Sequence, residues 1–179
     1  KSRNNAINLC NGEYIAFCDC DDLWKFNKLE KQLEIMHELN LEFSHTSYEI
    51  IDKKNSKIGY REAKENLSFL QLQKSCDIGL STVILKKKLF DNQKFRFGEI
   101  KTKEDYILWL SLAKNNIIIF GIKNCLVSWR KSKDSLSSST FQKFYDGYKV
   151  YKDHLHYSRI KSLYFLFILS LNFILKRFK

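Results

Sequence analysis

Gly12-Glu13-Tyr14-Ile15-Ala16-Phe17-Cys18-Asp19-Cys20-Asp21-Asp22 is the stretch on which the reading of the fold turns. Its apolar centre, Tyr14 to Cys18, follows the turn-like Asn11-Gly12-Glu13 and reads as a brief buried strand. Three carboxylates, Asp19, Asp21 and Asp22, stand where that strand ends. Grouped carboxylates are costly to hold together unless a cation or hydrogen-bond donors neutralise them. In open α/β sheets the carboxyl ends of strands are also where ligands collect. Hard oxygen ligands at such a place suit Mg²⁺ or Mn²⁺ bridging to the phosphates of a nucleotide. The competing reading is structural, because Asp is common in strand-to-helix turns, where its short side chain caps the next helix. Asp22 adjoins a segment expected to become helical and fits that role; Asp19 and Asp21 are the stronger ligand candidates.

Upstream, residues 2–10 predict a short helix with Ala6, Leu9 and Cys10 on one face, stopped by Asn11-Gly12. Downstream, Asn27 and Glu30 form a capping-box-like pair, and Leu29, Leu33, Met36 and Leu39 recur at helical spacing. A strand over 41–51, a turn over 52–57 and a returning strand over 58–61 predict a hairpin. Residues 65–74 read as a helix with Leu67, Leu70 and Gln71 on one side, and 79–85 as a second buried strand. Residues 106–114 are apolar nearly all round, the pattern of a buried helix, and strands are expected at 117–120 and 125–130. Strands alternating with helices argue for an α/β layered domain.

The 179 residues suffice for one domain with a real core, and 44% hydrophobic with 15% aromatic residues excludes a disordered chain. A net charge of +11 calls for a polyanionic partner or surface, and nucleic acid, anionic lipid and nucleotide phosphates all qualify. The basic residues are spread along the chain rather than gathered in one run, so no nucleic acid is expected. Five cysteines at 10, 18, 20, 76 and 125 show no C-x-x-C spacing; they read as reduced, buried thiols of a cytoplasmic protein. Lys1 is not an initiator Met, which suggests that the sequence starts inside a longer protein.

A second acidic pair, Glu104-Asp105, opens the buried helix. Thr102-x-x-Asp105 matches a capping box, and the helix dipole favours a carboxylate in the first turn. Glu104 is harder to assign to a cap. A carboxylate on a rigid helix end is also well placed to act as a general base towards a sugar hydroxyl. Beyond the Ser-rich 135–139 the composition changes: residues 141–179 hold eight basic and two acidic residues around the apolar run 163–175. Thirteen residues are too few to span a bilayer as a helix, which needs about twenty. Such a segment suits either an interfacial membrane anchor or a terminal helix docked on the core.

Taken together, the segments resemble the family 2 glycosyltransferases, which have a GT-A fold. The matching pieces are Ser2 to Ile7, Gly12 to Phe17, Asp19-Cys20-Asp21-Asp22-Leu23-Trp24, Lys28 to Gln32, Glu104-Asp105-Tyr106-x-Leu108-Trp109-Leu110, and Trp129-Arg130 leading to Ser135-Leu136-Ser137. The resemblance covers roughly 1–140 and implies a GT-A-like (Rossmann-like) mixed sheet flanked by helices. That domain would be incomplete at the N-terminus and followed by a helical tail over 141–179. It implies a hexosyltransferase-like enzyme moving a sugar from a nucleotide-sugar, UDP by family habit, to an acceptor hydroxyl with inversion. By the family pattern Asp19 lies near the ribose and Asp21 binds Mn²⁺ or Mg²⁺ on the diphosphate, with Asp19 as the other metal candidate. Asp105 matches the catalytic base, Arg3 a position near the nucleotide, and Arg130 one near the diphosphate. Phe26 stands where the family often has Pro. The process implied is surface glycan, lipo-oligosaccharide or polysaccharide synthesis on a glycan or lipid-linked glycan acceptor, on the cytoplasmic side, with the tail at the inner face of the membrane. Two other readings stand beside it: a non-catalytic polyanion-binding module, whose affinity would fall steeply with salt, and an inactive truncated transferase.

Overall fold

The computed structural model describes residues 2–131 and 140–175. In chain order the elements are α1 (Ser2–Leu9), β1 (Tyr14–Ala16), β2 (Leu23–Trp24), α2 (Lys28–Glu38), β3 (Phe43–Ile51), β4 (Lys57–Arg61) and α3 (Phe69–Leu72). They continue with β5 (Ile84–Lys86), α4 (Glu104–Lys114), β6 (Phe120–Arg130), α5 (Thr140–Lys149) and α6 (Arg159–Leu175). The strands form one mixed sheet in the order β1-β5-β3-β6-β2, with β4 added to β3. Among the described residues only the β3–β6 pair is parallel. Residues 43–47 of β3 are all buried, as befits a central strand covered on both faces.

The expected hairpin is present: β3 and β4 pair antiparallel across the Asp52 turn. That turn is closed by Asp52, whose carboxylate accepts from the N–H groups of Lys54 and Ser56 at 2.8 and 2.9 Å. Of the strand expected at 117–120 only Phe120 is in a strand, and it is continuous with the one expected at 125–130 in β6, whose register against β3 slips around Ser47. A bulge, not a break, separates them. Gly121 is required in β6, since a Cβ there would meet the Lys64 carbonyl oxygen at 2.1 Å.

Helix α4 is buried along seven of its eleven residues, as its apolar pattern requires. Trp109 lies edge-on to Phe43 of the sheet at 5.1 Å and to Phe97 of the preceding loop at 6.2 Å. The Tyr106 hydroxyl donates to the Leu72 carbonyl, and the Tyr151 hydroxyl donates to that of Gln73 at 2.7 Å. Val150, Tyr151, Leu155 and Leu169 share one hydrophobic core with α4 and the sheet, so the inner faces of the last helices pack on the domain. A single π-helical turn, Val150–His154, follows α5 directly.

Several expectations are corrected. α1 buries Ile7, while Ala6 and Leu9 are exposed: its packed face runs through Arg3, Ile7 and Cys10 instead. In α2 the buried positions are Lys28, Gln32 and Met36, and Asn27 makes no side-chain cap; Leu29 and Leu39 face solvent. The helix foreseen over 65–74 shrinks to α3, because Ser68 and Gln71 form a capping box that fixes its start at Phe69. The strand foreseen over 79–85 is a 3₁₀ turn (Leu80–Thr82) followed by the shorter β5. Cys18 and Cys20 are exposed, and the other three cysteines are partly exposed, so the buried-thiol reading fails; β1 ends at Ala16, which leaves Cys18 and Cys20 outside the strand.

Candidate active site

The chain after β1 leaves the sheet at Phe17 and turns through Cys20-Asp21 before β2. Ser81, in the 3₁₀ turn before β5, organises this bend. Its hydroxyl accepts from the Asp19 N–H at 3.0 Å and donates to the Asp22 carboxylate at 2.5 Å, and its carbonyl accepts from the Trp24 indole at 2.8 Å. The other Asp22 oxygen accepts from the Arg130 N–H at 2.9 Å. Asp22 is thus a buried turn residue, tied to β6 rather than capping a helix. Its proton affinity is raised by burial, and the bonds from Ser81 and Arg130 oppose that shift. The Arg130 guanidinium donates to the Asp21 and Asp52 carbonyls, each at 2.9 Å, and so grips the acidic turn by its backbone.

Asp19 points its chemistry elsewhere. Arg3, on α1, donates to the Asp19 carboxylate at 2.8 Å and, through its other terminal nitrogen, to the Glu104 carboxylate. Its guanidinium also lies over the Phe97 ring at 5.7 Å. One forked cation therefore joins the acidic turn to the first turn of α4, reaching 16 residues along the sequence to Asp19 and 101 to Glu104. Asn4 reinforces the link, accepting from the Phe97 N–H at 3.0 Å and donating to its carbonyl at 3.1 Å. An open cleft of ≈ 730 Å³ lies beside this junction, lined among others by Ser2, Arg3, Phe97, Ile100 and Glu104.

The start of α4 departs from a capping box. Lys103 is the N-cap with φ 66°, a left-handed conformation that costs a non-glycine residue about 1 kcal/mol or more. Thr102 turns away from Asp105, and its N–H and hydroxyl both donate to buried Asp146 of α5, at 2.8 and 2.9 Å. Asp105 accepts from the N–H of its own neighbour, Tyr106, at 2.7 Å. Burial, and then the Glu104 charge, push the Asp105 carboxyl up to about 6. A carboxylate in that range exchanges protons readily near neutral pH. The Tyr48 phenol, raised to about 12 mainly by burial, feels the charges of both Asp22 and Asp105.

Of the candidate residues described from the sequence, Arg3 is paired with Asp19 and with Glu104, the neighbour of Asp105, and Arg130 is bonded to the Asp21 backbone; of these five, Arg3 lines the cleft and Asp19, Asp21, Asp105 and Arg130 do not. Ser135, Leu136 and Ser137 of the matching pattern lie outside the described residues. Among the described residues no group of three or more His, Cys, Asp or Glu side chains is arranged to hold a metal ion. Asp19 is engaged by Arg3 and Asp22 by Ser81 and Arg130, which leaves exposed Asp21 as the carboxylate of this turn open to a cation. One hard oxygen donor fits an Mg²⁺ or Mn²⁺ that takes its remaining ligands from a diphosphate and water, and does not fit an all-protein cage. Ser81 was missed from sequence, since a serine inside an apolar run carries no signal of its own. Lys28 and Gln32 were missed as well: the Lys28 ammonium is buried under the Trp24 ring at 4.3 Å and donates to Gln32 at 2.9 Å. Gln32 in turn donates to Ser44 and to the Thr82 carbonyl, beside Ser81.

A family profile described as glycosyl transferase family 2 matches residues 1–97. The chain belongs to glycosyl transferase family 2. Among curated relatives, it is similar to the UDP-Glc:alpha-D-GlcNAc-diphosphoundecaprenol beta-1,3-glucosyltransferase WfgD of Escherichia coli, 36% identical over 92% of this chain and 64% of WfgD. Another relative is the enzyme of the same description WfaP, also of Escherichia coli, 30% identical over 79% of this chain and 55% of WfaP. This family 2 chain therefore spans less than two thirds of the length of either. Among solved structures, S. aureus TarS 1-349 in complex with UDP-GlcNAc superposes with a TM-score of 0.64, covering 93% of this chain and 50% of TarS at 18% identity. At that identity the likeness speaks for the fold, and it establishes the expected GT-A-like mixed sheet flanked by helices.

Proposed function

We propose that this chain is the catalytic part of a glycosyltransferase that moves a sugar from a UDP-sugar to a hydroxyl of a lipid-linked glycan, with inversion, in cell-surface polysaccharide synthesis. In this reading residues 1–140 form the transferase domain and residues 141–179 a tail on the membrane side, at the cytoplasmic face. The observation that carries the proposal is the Arg3 fork, which holds the acidic turn and the α4 carboxylates in one site beside an open cleft. WfgD and WfaP, by their names, use UDP-Glc and a diphosphoundecaprenol-linked sugar; a donor and acceptor of those classes suit the site.

Asp21 would hold Mn²⁺ or Mg²⁺, with Asp19 beside it held by Arg3. The cation, when bound, offsets the charge that develops on the departing diphosphate. Asp19 and Arg3 orient the nucleotide, and Arg130 keeps the Asp21 backbone in place. Asp105 takes the proton from the acceptor hydroxyl as that oxygen bonds to the anomeric carbon. The bond from that carbon to the diphosphate oxygen breaks on the opposite face, and the electron pair leaves with UDP. An Asp raised to about 6 is mostly ionised at neutral pH yet basic enough to accept that proton.

The test is UDP release by the full-length protein from a panel of sugar nucleotides, with a polyprenyl-diphosphate-linked acceptor and with or without Mn²⁺. Metal-dependent release from one donor, abolished by Asp21→Ala and by Asp105→Asn, is the expected result. A folded protein silent across the panel overturns the proposal.

A further inference from the structure

We propose that the shared outer face of α5 and α6 is a docking surface for an anionic lipid bilayer, seated so that it presents the α4 end of the cleft to the membrane. This rests on the transferase reading above and specifies which surface meets the membrane.

The two helices are two-sided. On the inner side, α6 supplies Leu169 and Phe165 and the π-helical turn after α5 supplies Val150 to the core, with Phe165 stacked on Tyr151 at 5.6 Å, while α5 buries Asp146 and Gly147. On the outer side Phe141, Phe144, Leu163, Phe167, Leu171 and Ile174 are exposed, Phe141 by 82% and Phe167 by 67%. Positions 163, 167, 171 and 174 recur every three or four residues, so they form one stripe along α6. Between that stripe and Phe144 runs an apolar groove of ≈ 360 Å³. A continuous apolar face of this size marks an interaction site.

Charge selects the occupant. Residues 141–179 carry eight basic and two acidic residues. One of the acids, Asp146, is buried and accepts from Thr102 and Gln142, which leaves Asp153 as the exposed one. Tyr145 and Tyr164 stand exposed among the apolar groups, and the Lys149 ammonium lies 4.7 Å from the Tyr145 ring. Aromatic rings with polar tips beside lysines are the composition of a helix lying in the headgroup layer of an anionic membrane. Among the described residues no helix is long and apolar enough to cross a membrane, so α6 would lie in the surface.

The orientation follows from how this pair is attached. Thr102 is held by Asp146, and Gly147 sits so close to the next layer that a Cβ there would lie 2.8 Å from Leu166 and 3.6 Å from the Lys103 side chain. Glu104 and Asp105 follow at once. A bilayer against the outer face is therefore one helix layer from the first turn of α4, where the acceptor's head would have to arrive.

Full-length protein is sedimented with vesicles of phosphatidylglycerol and phosphatidylcholine, or of phosphatidylcholine alone, at low and high salt. Wild type is expected to bind the anionic vesicles, less at high salt, and Phe167→Glu/Leu171→Glu to bind on the order of 10-fold more weakly. Both residues are exposed, and donor turnover with a short, lipid-free acceptor is expected to be unchanged by the double substitution. Wild type that stays in the supernatant, or a variant that binds equally well, overturns the docking surface. A protein that ignores vesicles but is a dimer split by the double substitution assigns the face to a second copy and also overturns it. Loss of donor turnover in wild type, with vesicle binding intact, counts against the transferase reading alone.

Discussion

The acidic turn and the first turn of α4 are both built from carboxylates, yet they are held in opposite ways. In the turn, Asp19 and Asp22 are satisfied by partners from distant parts of the chain: Arg3, Ser81 and the Arg130 backbone. At α4, Asp105 has its neighbour's N–H, sits after a left-handed Lys103, and is crowded by Glu104. A fully bonded carboxylate is a fixed ligand; a desolvated one beside a like charge is ready to take a proton. In the proposed mechanism the same residue type thus serves holding at one end of the site and proton transfer at the other. The Arg3 fork keeps the two ends in register.

The largest expected break in that comparison is Asp105→Asn. It is predicted to lower kcat by ~10³-fold, measured as UDP release with acceptor. The same change is predicted to raise thermal stability at pH 7 by about 1 kcal/mol. With Asp105 raised to about 6, the folded state binds more protons than the unfolded state between about pH 4 and 6, so ionisation costs stability as pH rises through that window. Asn removes the cost. Melting temperatures of the two proteins at pH 5 and pH 7.5 check it, and a variant less stable than wild type at both contradicts it.

Arg3→Met, which cuts the fork, is next. Loss of two charge-assisted bonds predicts a fall in kcat/KM of about 10- to 100-fold, with the fold retained. At the holding end alone, Ser81→Ala leaves Asp22 buried with one partner fewer. It is predicted to cost about 2 kcal/mol in denaturant unfolding, a loss of stability that Arg3→Met does not share. The smallest effect concerns Lys28, pushed down to about 8 by burial. Its folded state binds fewer protons than the unfolded state between about pH 8 and 10.5, so wild type gains stability from this group as pH rises there. Lys28→Met should flatten that gain by about 1 kcal/mol between pH 8 and 9.5, read as the difference between the two unfolding curves.

These residues also show what was legible beforehand. The acidic stretch, the Glu104-Asp105 pair, the buried α4 and the β3–β4 hairpin each announce themselves by local pattern, and all stand in the structure. Residues 79–85 look like a strand because they are apolar and β-branched. Only Ile84 and Leu85 of them are in a strand, and Leu80–Thr82 form a 3₁₀ turn where Ser81 meets Asp19, Asp22 and Trp24, contacts made across 57 to 62 residues of sequence. Lys28 and Gln32 look like the wet side of α2, yet they are its buried side, because Trp24, Ser44 and Thr82 offer them partners. Periodicity assumes that buried means apolar. It fails where tertiary hydrogen bonds make polar burial affordable, and here those places surround the site.

The most direct test of the account is the pH–rate profile of the full-length enzyme with its preferred UDP-sugar and acceptor, for wild type and Asp105→Asn. The account predicts that wild-type kcat falls on the acid side with an apparent pKa near 6, and that the variant retains no comparable rate at any pH. An Asp105→Asn enzyme within about tenfold of wild type, with the acid limb unchanged, would contradict it.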